Sequence, residues 1–337
     1  MKDLLNHVAG RTQLFLSPDN QSHATLPSGA ATPIYSEDFF TFLNALADDR
    51  QIDIPNAVKL GFALRKLDAR AHASQRVQPV PLRTFQPDPQ TLLIDLHDNF
   101  DAVELTRKSW KITSNLDTQF VRPSLNLPLP SPEPPLHDLP TYLTRIFQLQ
   151  PGPALEIANW LATAMLPDSH PPILVITGEA RYQAAEKLRK IIDPVPQPLF
   201  PLPHTAGQLG QLALTNRVLA FAAYGGISKS KQAALDRLRA GTMVPLKETN
   251  KRRGAIFTKV ARPIIIATET SVEISRHQIN IEINYAGQGD HPQILGALLN
   301  LVAQTLNRAH LPAIEIVSDT RSHQSPIPKI QSDVPGP

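Results

Sequence analysis

The chain has 337 residues, about twice the usual size of one domain, so we expect more than one folded unit. Hydrophobic residues make up 42% and charged residues 19%, proportions that allow buried cores and exclude a wholly disordered polypeptide. The absence of cysteine excludes disulfides, thiolate metal sites and cysteine nucleophiles. Because the net charge is only +3, any affinity for anionic partners must come from local clusters of basic residues.

The sequence predicts neither a membrane span nor an export signal. The longest apolar stretch, residues 154–166, contains Glu156 and Asn159 and is too short and too polar to cross a bilayer. Residues 1–11 lack the apolar core of a signal peptide. We therefore expect a cytoplasmic protein without membrane partners, in keeping with the lack of cysteine.

Residues 1–120 are predicted to form a small α+β domain that serves docking or recognition. Residues 39–47 and 54–67 carry apolar residues at helical spacing, and Pro55 suits the start of the second helix. Strands are predicted in three short runs: residues 92–96, 102–105 and 110–112. Two helices followed by a small meander fit a winged-helix-like module, although many small α+β units would give the same pattern.

Proline is unusually frequent, with 33 prolines against 15 glycines. Residues 121–152 are predicted to be a proline-rich linker and a short helix. Within them, residues 123–135 should be stiff and largely extended, because each proline removes a backbone donor and restricts the residue before it. The C-terminal segment, residues 313–337, is predicted to end in a disordered tail.

Residues 153–312 are predicted to form an α/β domain, because buried strand patterns alternate with helical patterns. The strand patterns are residues 173–177, 218–222, 255–260, 263–267 and 279–283, and the helical patterns are residues 154–166, 183–192, 231–239 and 294–306. Such alternation predicts a largely parallel sheet covered by helices.

The stretch ILVITGEARYQAAEKLRKIIDP resembles the Walker A region of a family of P-loop ATPases associated with phage-type and plasmid-type primases and replicative helicases. The resemblance rests on Thr177, Gly178 and Glu179 after the strand and on the Ile-Asp-Pro that ends the helix. The Walker B strand of the family resembles the stretch RVLAFAAYGGIS, and the family's strand with a polar sensor residue resembles RPIIIATET. The similarity extends over residues 12–308 through three further stretches: SPDNQSHATLPSG, IDLHDNFDAVELTRKSWKIT and ILGALLN. The resemblance implies a P-loop NTPase-like domain of AAA+ or superfamily 3 helicase type, preceded by the small α+β domain.

The residues that bind a nucleotide in P-loop ATPases are missing from the corresponding positions of this sequence. A Walker A loop supplies glycine amides, a lysine for the β and γ phosphates, and a Ser or Thr hydroxyl for Mg²⁺. Gly178 is followed instead by Glu-Ala-Arg-Tyr-Gln-Ala-Ala-Glu, which contains no lysine, Ser or Thr. The Walker B strand ends in Ala-Ala-Tyr rather than in an acidic residue. Lys187 and Lys190 are predicted to be exposed charged residues of the helix. We therefore predict a catalytically inactive pseudo-ATPase with a degenerate nucleotide loop at Thr177, Gly178 and Glu179, no catalytic residue, no cofactor and no metal.

Basic residues are concentrated in residues 229–262, which hold ten Lys and Arg against two acids, a net charge of +8. VPLKETNKRRGAIF predicts a β-hairpin with its tip at residues 249–254, and in the helicase relatives a hairpin before the sensor strand points toward the central channel. The predicted nucleic-acid-binding residues are Lys247, Lys251, Arg252, Arg253 and Lys259. Their contacts to phosphates would be salt-sensitive and largely independent of sequence, and a solvated basic loop is the alternative.

Arg276 lies where the resemblance places an arginine before the last strand, a position suited to an arginine finger toward a neighbouring subunit's nucleotide. A surface arginine paired with Glu273 is the alternative. Asp95, Asp98 and Asp101 offer a carboxylate cluster for Mg²⁺, with a solvated turn as the alternative.

Together these features predict a non-enzymatic accessory protein of DNA replication or of a mobile element. Its partners would be DNA bound without sequence preference, or a helicase or primase protein, and homo-oligomers and hetero-oligomers both fit. Two rivals stay open. One is an active ATPase or DNA helicase with an unusual nucleotide site, and the other is a protein-only scaffold or regulator whose basic tip meets an acidic protein surface.

Overall fold

A computed structural model describes residues 7–8, 10–52, 57–97, 101–114, 118–225, 227–245, 257–269, 275 and 277–308. The strands are β1 (Gln13–Leu16), β2 (Ser22–Thr25), β3 (Ala31–Pro33), β4 (Thr84–Asp88), β5 (Thr91–Asp95), β6 (Ala102–Thr106), β7 (Trp110–Thr113), β8 (Ile173–Thr177), β9 (Phe200–Pro201), β10 (Leu219–Ala223), β11 (Thr242–Pro245), β12 (Phe257–Val260), β13 (Ile264–Thr268) and β14 (Gln278–Glu282). The helices are α1 (Glu37–Asp49), α2 (Ala57–Ser74), α3 (Leu139–Phe147), α4 (Pro151–Met165), α5 (Arg181–Ile192), α6 (Ala206–Thr215), α7 (Lys229–Ala240) and α8 (His291–Arg308).

The N-terminal layer packs α1 and α2 on a three-stranded antiparallel sheet, β1–β2–β3. Helix α1 begins where the Ser36 side chain accepts a hydrogen bond from the Phe39 amide, and two acidic residues in its first turn suit the positive end of the helix dipole. The apolar face of α1 is buried, with Phe39 and Leu43 almost fully covered. The two helices predicted in this part are present, whereas β1–β3 had not been predicted.

The meander β4–β5–β6–β7 forms a second antiparallel sheet that packs against the C-terminal half. Leu92 and Val103 belong to the same hydrophobic cluster as residues of α4 and α8. The Trp110 indole donates to Asn300 Oδ1 on α8 at 3.1 Å. The described contacts therefore run across residue 120, and a domain boundary at that point stays a prediction.

The C-terminal half is built on a five-stranded parallel sheet with the order β14-β8-β13-β10-β9. The prediction of an α/β unit with a largely parallel sheet is confirmed. One strand prediction was wrong: the described part of residues 255–260 does not enter this sheet, because β12 pairs antiparallel with β11 in a separate two-stranded ribbon. In β12, Lys259 is exposed and Val260 is buried. This alternation is typical of a strand with one face exposed to solvent, not of a strand buried on both faces. The two-residue strand β9 fills the edge position.

Alternate residues of the parallel strands point to two different hydrophobic clusters, as the two-residue period of a strand requires. Leu174 and Ile176 of β8 face helices α3, α4, α5 and α8, whereas Ile173 and Val175 face α6, α7 and the β11–β12 ribbon. Among the described helices, none combines the length and the apolar character needed to cross a bilayer.

The proline-rich segment lies along the body of the protein without helix or strand between residues 126 and 135. Backbone amides tie it down: Leu127 donates to the Pro194 carbonyl at 2.9 Å, and Leu129 donates to the Leu96 carbonyl at 3.0 Å. A Cβ on Gly296 of α8 would lie 1.9 Å from the Glu133 carbonyl oxygen, so a glycine is required where the segment crosses this helix.

Candidate functional site

The candidate site is the turn between β8 and α5, at the carboxyl edge of the parallel sheet, where ligands of open α/β sheets usually bind. Strand β8 ends at Thr177 and α5 begins at Arg181, so the turn has three residues. A Walker A pattern needs about eight positions to wrap a phosphate and enter its helix. The turn leaves only Gly178, Glu179 and Ala180 between the strand and the helix.

Two backbone amides of the turn are already bonded to the chain that follows β14. The Glu179 amide donates to Asn284 Oδ1 at 2.9 Å, and the Ala180 amide donates to the Ile283 carbonyl at 3.0 Å. Asn284 is itself held in place, because its side-chain nitrogen donates to Glu282 Oε1 at 3.0 Å. Amides that would face a phosphate in a P-loop are thus used to close the turn.

Gly178 makes this closure possible. Its φ of +95° lies in a region that other residues rarely adopt, and a Cβ at this position would lie 2.5 Å from the Ile283 oxygen and 2.6 Å from Asn284 Oδ1. Gly178 is therefore required by the close approach of the chain after β14, whatever its role in the sequence resemblance.

Arg181 lies across the mouth of the turn. Its Nη1 donates to the Gly178 carbonyl at 2.9 Å, its Nη2 lies 3.4 Å from Glu269 Oε1, and its guanidinium carbon lies 4.5 Å from the centre of the Tyr182 ring. Tyr182 in turn contacts Tyr224 at the end of β10, with ring centres 5.7 Å apart. These four side chains therefore form a connected group that follows the ends of β8, β13 and β10. The sequence alone did not identify Arg181 and Glu269 as partners.

Helix α5 carries two lysines, Lys187 and Lys190. Lys190 forms an ion pair with Glu186, with 2.5 Å between Nζ and Oε1. Partial burial lowers the pKa of His291 at the start of α8, and the charges of Lys187 and Lys190 lower it further, so both lysines lie near α8. Neither lysine is placed by an observed contact toward the β8–α5 turn.

Asp193, the acid of the Ile-Asp-Pro sequence, is a buried structural residue. One carboxylate oxygen lies 3.2 Å from Arg83 Nη2, and the other accepts hydrogen bonds from the amides of Arg217 and Val218 at 2.7 and 3.1 Å. Arg83 also donates to the Leu127 carbonyl at 3.1 Å. Asp193 therefore joins the end of α5 to the start of β10 and to the N-terminal half of the chain.

Asp95, considered above for Mg²⁺, is buried and bonded to both Nη2 and Nε of Arg122, at 2.6 and 3.1 Å. Asp98, the second acid of that candidate cluster, lies outside the described residues. Within the described part of the chain, no group of three or more His, Asp or Glu side chains is arranged to hold a metal ion.

Most of the predicted nucleic-acid-binding residues fall outside the part of the chain that the structure describes. These are Lys247, Lys251, Arg252 and Arg253, and the candidate arginine finger, Arg276, lies outside it as well. Lys259 is described: it is exposed on β12, opposite Met243 of β11 in the ladder.

Arg262, one of the ten basic residues of the cluster, is not part of a basic surface. Its Nε donates to the carbonyls of Ala213 and Asn216 at 2.9 and 3.0 Å. Burial lowers the pKa of Arg262, and the nearby charge of Arg217 adds to that effect. Arg262 therefore holds the entrance of β13 against the end of α6.

No protein-family model matches the sequence, and no curated protein matches it. Among solved structures, the chain is similar to the C-terminal region of NrS-1 in its A-form apo state, with a TM-score of 0.43 and 10% identity over 90% of this chain and 67% of the other. It is also similar to an active helicase, Cch of SCCmec type IV, with a TM-score of 0.43 and 13% identity over 89% of this chain and 61% of the helicase. The chain thus spans less than two thirds of the Cch chain, and neither similarity assigns a role to any residue.

Proposed function

We propose that this chain is an ATPase-like accessory protein of DNA replication or of a mobile element that does not hydrolyse ATP and acts by binding nucleic acid or a helicase or primase partner. The observation that carries the proposal is the closed β8–α5 turn, in which the Glu179 and Ala180 amides are bonded to Asn284 and Ile283.

Phosphoryl transfer depends on positioning and on charge stabilisation by a lysine, a metal and backbone donors. Admitting a phosphate here would break two hydrogen bonds, at roughly 1 kcal/mol each, and would displace Arg181 from Glu269. The first turn of α5 offers no lysine and no Ser or Thr hydroxyl for Mg²⁺ in return, since it reads Arg-Tyr-Gln-Ala.

The test is a measurement of magnesium-dependent ATP binding and hydrolysis by the purified full chain, with an active P-loop ATPase assayed in parallel. We expect no hydrolysis and no change of melting temperature on adding ATP and Mg²⁺. Hydrolysis that is lost in both Lys187→Ala and Glu186→Gln would refute the proposal, because those side chains are the remaining candidates for a variant nucleotide site on α5.

Binding of nucleic acid is favoured by exposed basic side chains on α7 and on the β11–β12 ribbon. Lys229 and Lys259 are exposed, and within the described part of the chain neither forms an ion pair. Uncompensated cations of this kind suit phosphate contacts that weaken as salt is raised. Few aromatic residues lie in the basic segment, which disfavours sequence-specific base reading.

A salt titration with single-stranded and double-stranded DNA separates this function from the protein-only scaffold. We expect retention at low salt that falls in the triple variant Lys251→Glu, Arg252→Glu and Arg253→Glu. The matched control carries the same change of charge on α2, at the exposed residues Arg65, Lys66 and Arg70. If neither DNA is retained by the wild-type chain, or both triple variants lose it equally, the scaffold function is favoured.

A further inference from the structure

Helices α6 and α7 and strand β11 leave an open groove on the side of the protein that faces away from α5. The groove consists of two adjoining cavities of about 160 Å³ and about 170 Å³. Both are lined by Ala206 and Leu209 of α6 and by Ala234 and Arg237 of α7. Shared walls make them two compartments of one groove.

Small residues on the facing helices keep the groove open. Besides Ala206, the groove wall of α6 contains Gly207 and Gly210, and a Cβ on Gly210 would lie 2.9 Å from the Val244 side chain of β11. Helix α6 therefore packs closely on β11 at Gly210, while the alanines opposite leave space unfilled. The floor is apolar, formed by the buried side chains of Leu209 and Val244.

The rim of the groove is basic. Arg237 borders both compartments, and Lys231 and His204 border the larger one. Among the described residues that line either compartment there is no Asp or Glu. At the far end Met243 is 57% exposed, which extends the apolar surface out of the groove.

We infer that this groove docks a short amphipathic helix of a partner protein, with two apolar anchor residues and acidic residues on its flanks. Each compartment is smaller than the roughly 300–1,000 Å³ of a small-molecule pocket and is sized for a single large side chain. On α7 the lining residues run from Ser230 to Leu238, a rise of about 12 Å, or just over two helical turns. Anchors at positions i and i+4 or i+7 of a helix match that length.

The chemistry of the groove favours a peptide over nucleic acid as the occupant. Single-stranded nucleic acids bind where aromatic side chains stack their bases. The apolar lining of the groove is made of Leu, Ala, Val, Pro and Met, with no Phe, Tyr or Trp among its described lining residues. Acidic flanks on the occupant would complement Lys231 and Arg237 and would make binding weaker at high salt.

This inference goes beyond the proposed function, because the groove lies on the sheet face opposite α5 and makes no use of the β8–α5 turn. Failure of the groove to bind a peptide would leave the ATP experiment unaffected. ATP hydrolysis, conversely, would not bear on the groove.

The probe is a displayed library of random 16-residue peptides, selected on the full chain and then tested singly by fluorescence anisotropy. We expect enriched peptides with two apolar residues at helical spacing and flanking Glu or Asp. Peptide binding should weaken at least tenfold in Ala234→Trp, because the larger side chain fills the groove. It should weaken equally in Ala206→Tyr, because the tyrosine blocks the groove. Ala206 is exposed, so the fold tolerates a larger side chain there.

A charge swap sharpens the test. Arg237→Glu should weaken acidic peptides at least fivefold and should improve binding of the same peptides with Lys in place of Glu. Arg65→Glu on α2, an equal change of charge on an exposed helix outside the groove, should leave binding unchanged. The inference is overturned if no enriched peptide is sensitive to Ala206→Tyr and Ala234→Trp in variants that keep the wild-type circular dichroism. The inference is also overturned if Ala206→Tyr and Ala234→Trp lose binding of single-stranded DNA but keep binding of peptides.

Discussion

Two groups of basic residues in this chain look alike in sequence and differ completely in environment. Around Asp193, Arg83 and Arg217 are buried and donate to a carboxylate or to backbone carbonyls. On α7 and β12, Lys229, Arg237 and Lys259 are exposed and, among the described residues, form no ion pair. The first group connects segments of the chain, and the second is available to a partner, so the environment of a cation rather than its presence decides its use.

The energies of the two groups should differ in the same way. Removing one partner of a buried ion pair leaves an uncompensated charge and costs about 3–5 kcal/mol of stability. An exposed cation contributes roughly 0.5 kcal/mol or less. Substitutions ordered by burial therefore test the comparison.

The largest effect is expected for Asp193→Ala. The change removes the partner of Arg83 and the acceptor of the Arg217 and Val218 amides, so we expect a loss of about 4 kcal/mol in the free energy of unfolding. Urea denaturation followed by circular dichroism measures it. Asp48→Ala, at an exposed position of α1, is the matched control and should change stability by less than about 0.5 kcal/mol. A loss below about 1 kcal/mol at Asp193 would mean that the junction is not a stabilising centre.

The second effect concerns a buried histidine in the N-terminal layer. His23 is almost fully covered, its Nδ1 donates to the Gln21 carbonyl at 3.0 Å, and it stacks on Phe15. Burial lowers its pKa from 6.5 to about 4, although the Gln21 carbonyl and Asp19 partly oppose the shift. The unfolded state therefore binds the proton more readily between these values, so stability is complete above pH 6.5 and falls as the pH drops toward 4.

The loss attributable to His23 is about 3 kcal/mol across that range. Unfolding of the wild type and of His23→Phe, measured at about pH 7 and about pH 4.5, isolates this residue from other titrating groups. The variant should lose less stability on acidification than the wild type. Equal losses would show that His23 does not stay neutral in the folded protein.

The third substitution tests whether the β8–α5 turn is closed in solution. In Gly178→Ala the new Cβ would meet the Ile283 oxygen at a backbone φ of +95°, so we expect a loss of about 2 kcal/mol. Gly61→Ala is the matched control, since no atom lies within 4 Å of its Cβ position inside α2, and it should gain about 0.5–1 kcal/mol. Equal responses at the two glycines would indicate that the turn is open in solution.

The sequence predicted the parts of the fold whose pattern is local. The strands at residues 173–177, 218–222 and 263–267 were recognisable because strands covered on both faces are continuously apolar. The apolar run at residues 255–260 was wrongly predicted to be a buried strand of the parallel sheet. The hairpin predicted over residues 244–257 agrees with the antiparallel pairing of Val244 and Pro245 with Thr258 and Phe257. Strand β9, with two residues, is too short to give any pattern.

The candidate site was predictable only from its own residues. The missing lysine after Gly178 could be read from the sequence. The closure by Ile283 and Asn284 could not, because these residues lie more than a hundred positions away and carry no local signal. The same holds for Arg83 and Asp193, which are separated by 110 residues. Long-range polar contacts depend on how the segments pack, which short stretches do not specify.

The smallest expected effect on stability is at the exposed lysines. The double variant Lys229→Ala and Lys259→Ala should unfold within about 0.5 kcal/mol of the wild type, because both side chains are exposed. Its affinity for single-stranded DNA should nevertheless fall, and the slope of log K against log salt should decrease by about 0.7 for each phosphate that the variant no longer neutralises.

Gel retardation at several salt concentrations measures this slope, with the double variant Arg65→Ala and Lys66→Ala on α2 as the control of equal charge. The control should keep the wild-type slope, because its cations lie on a different surface. A slope unchanged in both double variants would show that Lys229 and Lys259 do not bind phosphates. Binding of nucleic acid would then have to depend on other basic residues, such as Lys251, Arg252 and Arg253.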